Sequence, residues 1–240
     1  MKNYITVLIL LLSLTACRRD FDETIFGETP DARLTKTLDS LQNRLAGEPG
    51  GWTGFLTTGT GLRAGFYFKF TQNNRVSMVS DVVTGGETVK ESSYRLKALQ
   101  QPCLIFDTYS YLHILADPNG DVNGGTDGAG LQSDFEFAYD PSANNRDSIV
   151  LTGRMHNSRL VLRPGTRTDG EAFDAGGLSN AQVFDSLPKR YLNYFKRFTR
   201  GGNTYELVVN RRKKSLKVAW MEGAVYKEAM SYYMTTPSGN

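Results

Sequence analysis

Residues 66–80 read Phe-Tyr-Phe-Lys-Phe-Thr-Gln-Asn-Asn-Arg-Val-Ser-Met-Val-Ser. Side chains alternate along an extended chain, so Phe66, Phe68 and Phe70 share one face while Tyr67 and Lys69 share the other. Asn73-Asn74 marks a turn, because asparagine tolerates positive φ. Val76, Met78 and Ser80 carry the period back along a partner strand. The stretch is a β-hairpin, and its period of two recurs on its C-terminal side.

Gly85-Gly86 marks the next turn. Residues 92–99 predict a third strand with Tyr94, Leu96 and Ala98 on one face, ended by Gln101-Pro102. Leu104, Phe106 and Thr108 then alternate with Ile105 and Asp107, and Tyr109 and Tyr111 follow on one parity. Residues 117–130 form a Gly-rich loop. Phe135, Phe137 and Tyr139 supply the next apolar face, with Asp134 and Glu136 opposite. Residues 148–152 and 159–163 read as another hairpin. The polar, Gly-rich residues 165–178 mark a boundary.

Upstream the period changes to that of a helix. Thr29 suits its cap, Pro30 its first position and Asp31 its positive end. Leu34, Leu38, Leu41 and Leu45 form one stripe, and Gly47 with Pro49 stops it. Beyond the boundary, Ser179 with Gln182 fits a capping box. Phe184, Leu187, Tyr191, Tyr194, Phe195 and Phe198 follow helical spacing, with Pro188 as a kink. Residues 205–209 and 216–220 alternate again, and the basic run 210–214 between them reads as a solvated turn.

The chain has 240 residues, 24 of them glycine, and is 40% hydrophobic and 11% aromatic, which favours a β-rich domain with many turns over a helical bundle. The expected fold is α+β and mainly antiparallel, a curved sheet or partly closed barrel with an N-terminal amphipathic helix. Residues 29–165 form its body, and 179–240 a helix plus β-hairpin extension packed on the same domain. A net charge of +3 gives no field for nucleic acid.

The N-terminus specifies location. Lys2 precedes an apolar run from Tyr4 to Leu14, too short to span a bilayer as a helix. Leu14-Thr15-Ala16-Cys17 looks like a bacterial lipobox. In lipoproteins of that kind residues 1–16 are a signal peptide and Cys17 carries the lipid, so the chain is held to a membrane by lipid, with residues 17–28 as tether. The remaining cysteine, Cys103, opens an apolar run and reads as a buried, inert thiol.

Chemistry, if present, concentrates between 103 and 137. On a regular strand Asp107, Tyr109, Tyr111 and His113 would stand in a row. His113 could then act as a general base oriented by Asp107 or Asp117. A histidine packed beside tyrosines is the commoner reading. Tyr109, Tyr111 and Trp52 could instead make a stacking surface for a sugar or peptide, with Asp107 and His113 as its wall. Aromatics that alternate on a strand are more often core.

Asp134 and Glu136, roughly 6–7 Å apart on one strand, overlap the spacing of an inverting glycosidase pair. Acidic neighbours on a solvent face are far commoner. Asp117, Asn119, Asp121 and Asn123 place oxygens at alternate positions, and with Asp127 they define a candidate calcium loop. It departs from an EF-hand by holding Val122 and Gly128 where glycine and glutamate are needed. The sequence contains no Gly-x-Ser-x-Gly, no His-Glu-x-x-His and no phosphate loop. No catalytic residue and no cofactor other than calcium is therefore expected.

Several blocks resemble a Bacteroidota lipoprotein family described as a domain of unknown function, 4302 type. They are Cys17 with its charged tether, Arg33-Leu34 through Leu45 into Gly51-Trp52, residues 66–70 with 76–78, and Ser93-Tyr94. Phe106-Asp107-Thr108-Tyr109, Leu112-His113, Asp117-Pro118, Gly130-Leu131, residues 134–137 and residues 149–153 continue the likeness. It covers about residues 17–165 and weakens beyond 179. The resemblance implies an outer-membrane lipoprotein, with the cell surface favoured over the periplasm. Arg18-Arg19 precede the acidic residues that such an export signal carries first. It also implies genes that lie near outer-membrane uptake systems, so the partners expected are uptake proteins or a glycan or peptide ligand. It transfers no activity, so three classes stay open: a binding or accessory component of nutrient uptake, a hydrolase using His113, and a structural envelope lipoprotein.

Overall fold

The computed structural model describes residues 27–81, 86–176, 196–210, 214–233 and 236–237. Cys17 and the lipobox, most of the tether, Gly85, the helix expected over 179–195 and Arg211 to Lys213 lie outside the described residues. Two compact units divide the chain, residues 1–35 and 36–240.

Helix α1 runs Pro30–Ala46, with the caps the sequence calls for. Thr29 Oγ1 accepts the Ala32 N–H at 3.2 Å, satisfying a first-turn donor. At the far end the Gly47 N–H closes on the Asn43 carbonyl at 2.9 Å. Leu41 and Leu45 are the buried part of its stripe.

Eight strands follow: β1 (Trp52–Thr57), β2 (Arg63–Phe70), β3 (Arg75–Ser80), β4 (Lys90–Leu99), β5 (Gln101–Phe106), β6 (Glu136–Tyr139), β7 (Ile149–Gly153) and β8 (Arg159–Pro164). Each pairs antiparallel with the next, and β8 returns to β1, so the sheet is a closed barrel. Trp52 faces Phe68 on one side and Pro164 on the other. Closure leaves this sheet no edge.

The inward side chains fill the bore. Phe66, Phe68, Phe106 and Phe137 are fully buried, with ring centroids 5.3 Å (66–68), 5.7 Å (68–106) and 6.2 Å (106–137) apart. Each such ring contributes about 2–3 kcal/mol through burial. Gly54 makes room for them, since a Cβ there would stand 2.6 Å from the Phe68 ring. Outside the barrel, Tyr67 is also buried, beneath Phe173 of the helix Arg167–Asp174 at 4.8 Å between centroids. That helix, α4, occupies the stretch read as a boundary.

The second half of α1 covers one end of the barrel. Gln42 donates to the Tyr94 hydroxyl at 2.9 Å, and the Trp52 indole N–H donates to the Leu45 carbonyl at 2.9 Å. Arg44 reaches the Ser148 carbonyl at 3.2 Å. The β5–β6 connection covers the other end. It contains α2 (Tyr111–Ala116) and α3 (Gly120–Asn123), and it puts Leu112, Leu115 and Leu131 into the core.

Three expectations are corrected. Residues 109–113 do not extend the strand: β5 stops at Phe106 and Ser110 caps α2. The third expected strand, β4, ends at Leu99 ahead of Gln101-Pro102 as expected, and Pro102 falls inside the next strand, β5. Its missing N–H is tolerated because β6 pairs only from Cys103 onward. Phe135 precedes β6 and turns outward, leaving Phe137 and Tyr139 on the core side. Phe198 belongs to a strand, β9 (Lys196–Arg200), not to a helix.

Strands β9, β10 (Asn203–Asn210), β11 (Ser215–Glu222) and β12 (Val225–Tyr232) form a second, four-stranded meander. Gly201 and Gly202, both at positive φ, make the two-residue turn that folds β9 onto β10. Phe198 stacks on Tyr205 at 5.2 Å and Tyr205 packs on Trp220 at 5.8 Å, a cross-strand row. Lys214, read as part of a solvated turn, is 2% exposed and reaches Asp81 on the barrel.

Candidate functional site

Most of the flagged residues gather at the barrel end covered by the β5–β6 connection. Ser110 starts α2, and its backbone N–H donates to His113 Nδ1 at 3.1 Å, as a capping-box side chain would accept it. The His113 ring lies between two others. Tyr109 is at 5.7 Å and Phe135 at 4.5 Å, with interplanar angles of 30° and 20°. Tyr109 is 54% exposed and Phe135 37%, so the stack is open at both outer rings. Lys90 Nζ stands 5.1 Å from the Tyr109 ring and 5.5 Å from that of Tyr111.

The electrostatics hold His113 neutral. Burial pushes its pKa below the ordinary value, and the Lys90 ammonium adds to this; the Phe106 backbone and Asp107 pull weakly the other way. With Nδ1 accepting an N–H, the ring has a fixed tautomer and a structural task. Neither proposed carboxylate orients it. Asp107 pairs with Arg95 across β4–β5. Asp117 accepts the Asn119 N–H at 2.9 Å and lies 3.4 Å from the Tyr109 hydroxyl. The row Asp107–Tyr109–Tyr111–His113 therefore does not form, because the chain turns into a helix at Ser110.

The stacking trio is also split. Trp52 is 1% exposed in the core and Tyr111 is 7% exposed, its hydroxyl donating to the Thr88 carbonyl at 2.7 Å. Only Tyr109 of the three faces solvent. Phe135 takes the vacated role, and its signal was the same alternation that assigned it to the core.

The candidate calcium loop is an ordered turn structure. Asn119 Oδ1 accepts the Asp121 N–H at 3.0 Å, Asp127 Oδ1 accepts the Gly120 N–H at 2.8 Å, and Asn123 Oδ1 accepts the Gly125 N–H at 2.8 Å. Asn123 also donates to the carbonyls of Ile114 and Asp117. The side-chain oxygens of Asp117, Asn119, Asn123 and Asp127 thus accept backbone amides of their own loop. Among the described residues no three His, Cys, Asp or Glu side chains gather as a metal group.

Asp134 is not on a solvent face. It is buried before β6, and its carboxylate accepts the N–H groups of Met155 (2.8 Å), His156 (3.1 Å) and Ser158 (3.2 Å) and the Ser158 hydroxyl (2.6 Å). It ties down the β7–β8 turn. Glu136 pairs with Arg154 at 2.9 Å. The two carboxylates have separate structural partners rather than a shared cleft. Cys103 is a buried free thiol, and burial pushes its pKa up.

The fold and this end define a small β-barrel protein with an aromatic patch at one mouth and a meander sheet appended. The chain belongs to the family described as Domain of unknown function (DUF4302), whose model matches residues 22–239. The match extends through the meander sheet, well past the region where the sequence resemblance weakened. No curated protein matches the chain. Among the described residues no helix is long and apolar enough to cross a membrane.

Proposed function

We propose that this chain is a lipid-anchored envelope protein that binds a glycan or peptide without transforming it, as an accessory of an outer-membrane uptake system. The observation that carries the binding part is the open ring stack of Tyr109, His113 and Phe135 beside Lys90. Exposed aromatic faces beside a cation and a carboxylate suit the apolar face and hydroxyls of a sugar. The anchoring part rests on Leu14-Thr15-Ala16-Cys17.

Calorimetric titration of the protein against a panel of oligosaccharides and peptides tests the first part. A ligand should be found whose affinity drops roughly tenfold or more in Tyr109→Ala, in line with the worth of one stacking ring. Binding that is indifferent to Tyr109→Ala and Phe135→Ala would remove this surface from the reading, and no binding at all would favour a structural role. Cell fractionation tests the second part: Cys17→Ala should leave the membrane fraction, and retention there would refute the lipid anchor.

A further inference from the structure

We infer that β12 is a self-association edge, through which two copies of this chain join their meander sheets into one continuous eight-stranded sheet. In the strand order β12-β11-β10-β9 the two outer strands are β12 and β9, and among the described residues no strand pairs with the outer side of either. The two edges differ. β9 reads Lys-Arg-Phe-Thr-Arg and carries no acidic residue, so self-pairing sets cations opposite one another even with Arg197 paired to Glu206 at 3.4 Å. β12 reads Val-Tyr-Lys-Glu-Ala-Met-Ser-Tyr, all eight residues are exposed, and it contains no proline.

The two charged side chains of this edge each have a partner within the sheet. Glu228 lies 3.3 Å from Lys217 and accepts the Tyr226 hydroxyl at 2.9 Å; Lys227 lies 3.8 Å from Glu222. The exposed apolar side chains of the strand are Val225, Tyr226, Met230 and Tyr232, the last with the Arg63 guanidinium 3.3 Å from its ring.

The backbone fixes which groups are on offer. The Tyr233 N–H donates to the Lys214 carbonyl at 2.9 Å. Hydrogen-bonded and non-hydrogen-bonded pairs alternate in an antiparallel ladder, so the odd residues of β12 bond inward to β11. The N–H and C=O groups of Tyr226, Glu228, Met230 and Tyr232 therefore point out of the sheet.

A two-fold axis perpendicular to the sheet pairs β12 with its copy in antiparallel fashion, and the register selects itself. Centring on Lys227 or Glu228 sets like charges opposite each other. Centring on Ala229 gives the longest register free of such clashes. Ala229 then faces its own copy, Glu228 faces Met230, Tyr226 faces Tyr232 and Lys227 faces Ser231. The outward-pointing residues become the hydrogen-bonded pairs, as the ladder demands, and the small Ala229 sits at the close, non-hydrogen-bonded centre.

Sedimentation velocity on the full chain over a concentration series, with a charge-swap pair, tests this. Wild type should show a reversible dimer. Met230→Glu places a carboxylate opposite Glu228 twice per dimer and should weaken association roughly tenfold. Met230→Lys places a cation there instead and should retain the dimer. Oxidation of Ala229→Cys should give a covalent dimer beyond the level of the parent chain, since its two copies of the residue are the closest pair. A monomer at all concentrations, equal effects of the two Met230 variants, or cross-linking at Lys227→Cys in preference to Ala229→Cys would each overturn the proposal. Circular dichroism confirms that every variant is folded.

Discussion

Lys214 and Asp81 meet in a buried ion pair, Nζ to Oδ2 3.4 Å, that joins the meander sheet to the outer wall of the barrel. Lys214 Nζ also donates to the Asp81 carbonyl at 3.2 Å and lies 5.6 Å from the Tyr233 ring. Asp81 in turn accepts the Gly65 N–H at 2.8 Å, which is possible because Gly65 has no side chain in that space. Removing one partner strands the other charge out of water, so Lys214→Ala should cost about 3–5 kcal/mol. Lys214→Met with Asp81→Leu should cost less than the two single changes added together. Urea denaturation of the four proteins measures the cycle, and strict additivity would show that the two groups do not interact.

Asp134→Ala should destabilise by about 3 kcal/mol, because it leaves several buried donors of the β7–β8 turn without an acceptor. Gly153 shows how tightly that carboxylate is enclosed: a Cβ at 153 would collide with it. Hydrogen exchange should report faster opening at Met155, His156 and Ser158. Unchanged exchange at those amides would mean that the carboxylate does not hold the turn.

Stability should fall with acid through His113. Its folded pKa lies below the ordinary 6.5, so the unfolded chain takes up the proton first. The contribution is therefore complete above about pH 6.5 and is lost as the pH drops toward the folded value. Denaturation midpoints collected across this range should slope less in His113→Gln than in wild type. Parallel slopes would assign the effect to other groups.

Gly54→Ala should cost about 1–3 kcal/mol through overpacking, since the added methyl enters the space of the Phe68 ring. Thermal unfolding measures it. A neutral result would show that the bore has slack that its ring contacts do not suggest.

Much of the barrel is legible in its strands. Phe66, Phe68 and Phe70 alternate because one face is core, and Asn74 does take the positive φ its turn needs. Closure is not legible, since the pairing of β1 with β8 joins residues far apart in the chain and leaves no local pattern. Residues 109–113 mislead because aromatic alternation and a one-and-a-half-turn helix look alike over five positions; the Ser110-x-x-His113 spacing was the better guide. The candidate site was readable in part. Tyr109 and His113 do come together, but through the turn into α2 and not along a strand, whereas Trp52, Tyr111 and Asp107 answer to core packing and to Arg95. Phe135 joins them only through a bend that precedes its strand.

The packed bore has one further consequence. A barrel filled by its own phenyl rings leaves no room within its bore for a second molecule. A ligand of the kind proposed for Tyr109, His113 and Phe135 would therefore rest on the outside of the barrel. Under that proposal, capture and escape would depend on a few surface contacts and on diffusion, with no step of opening the barrel.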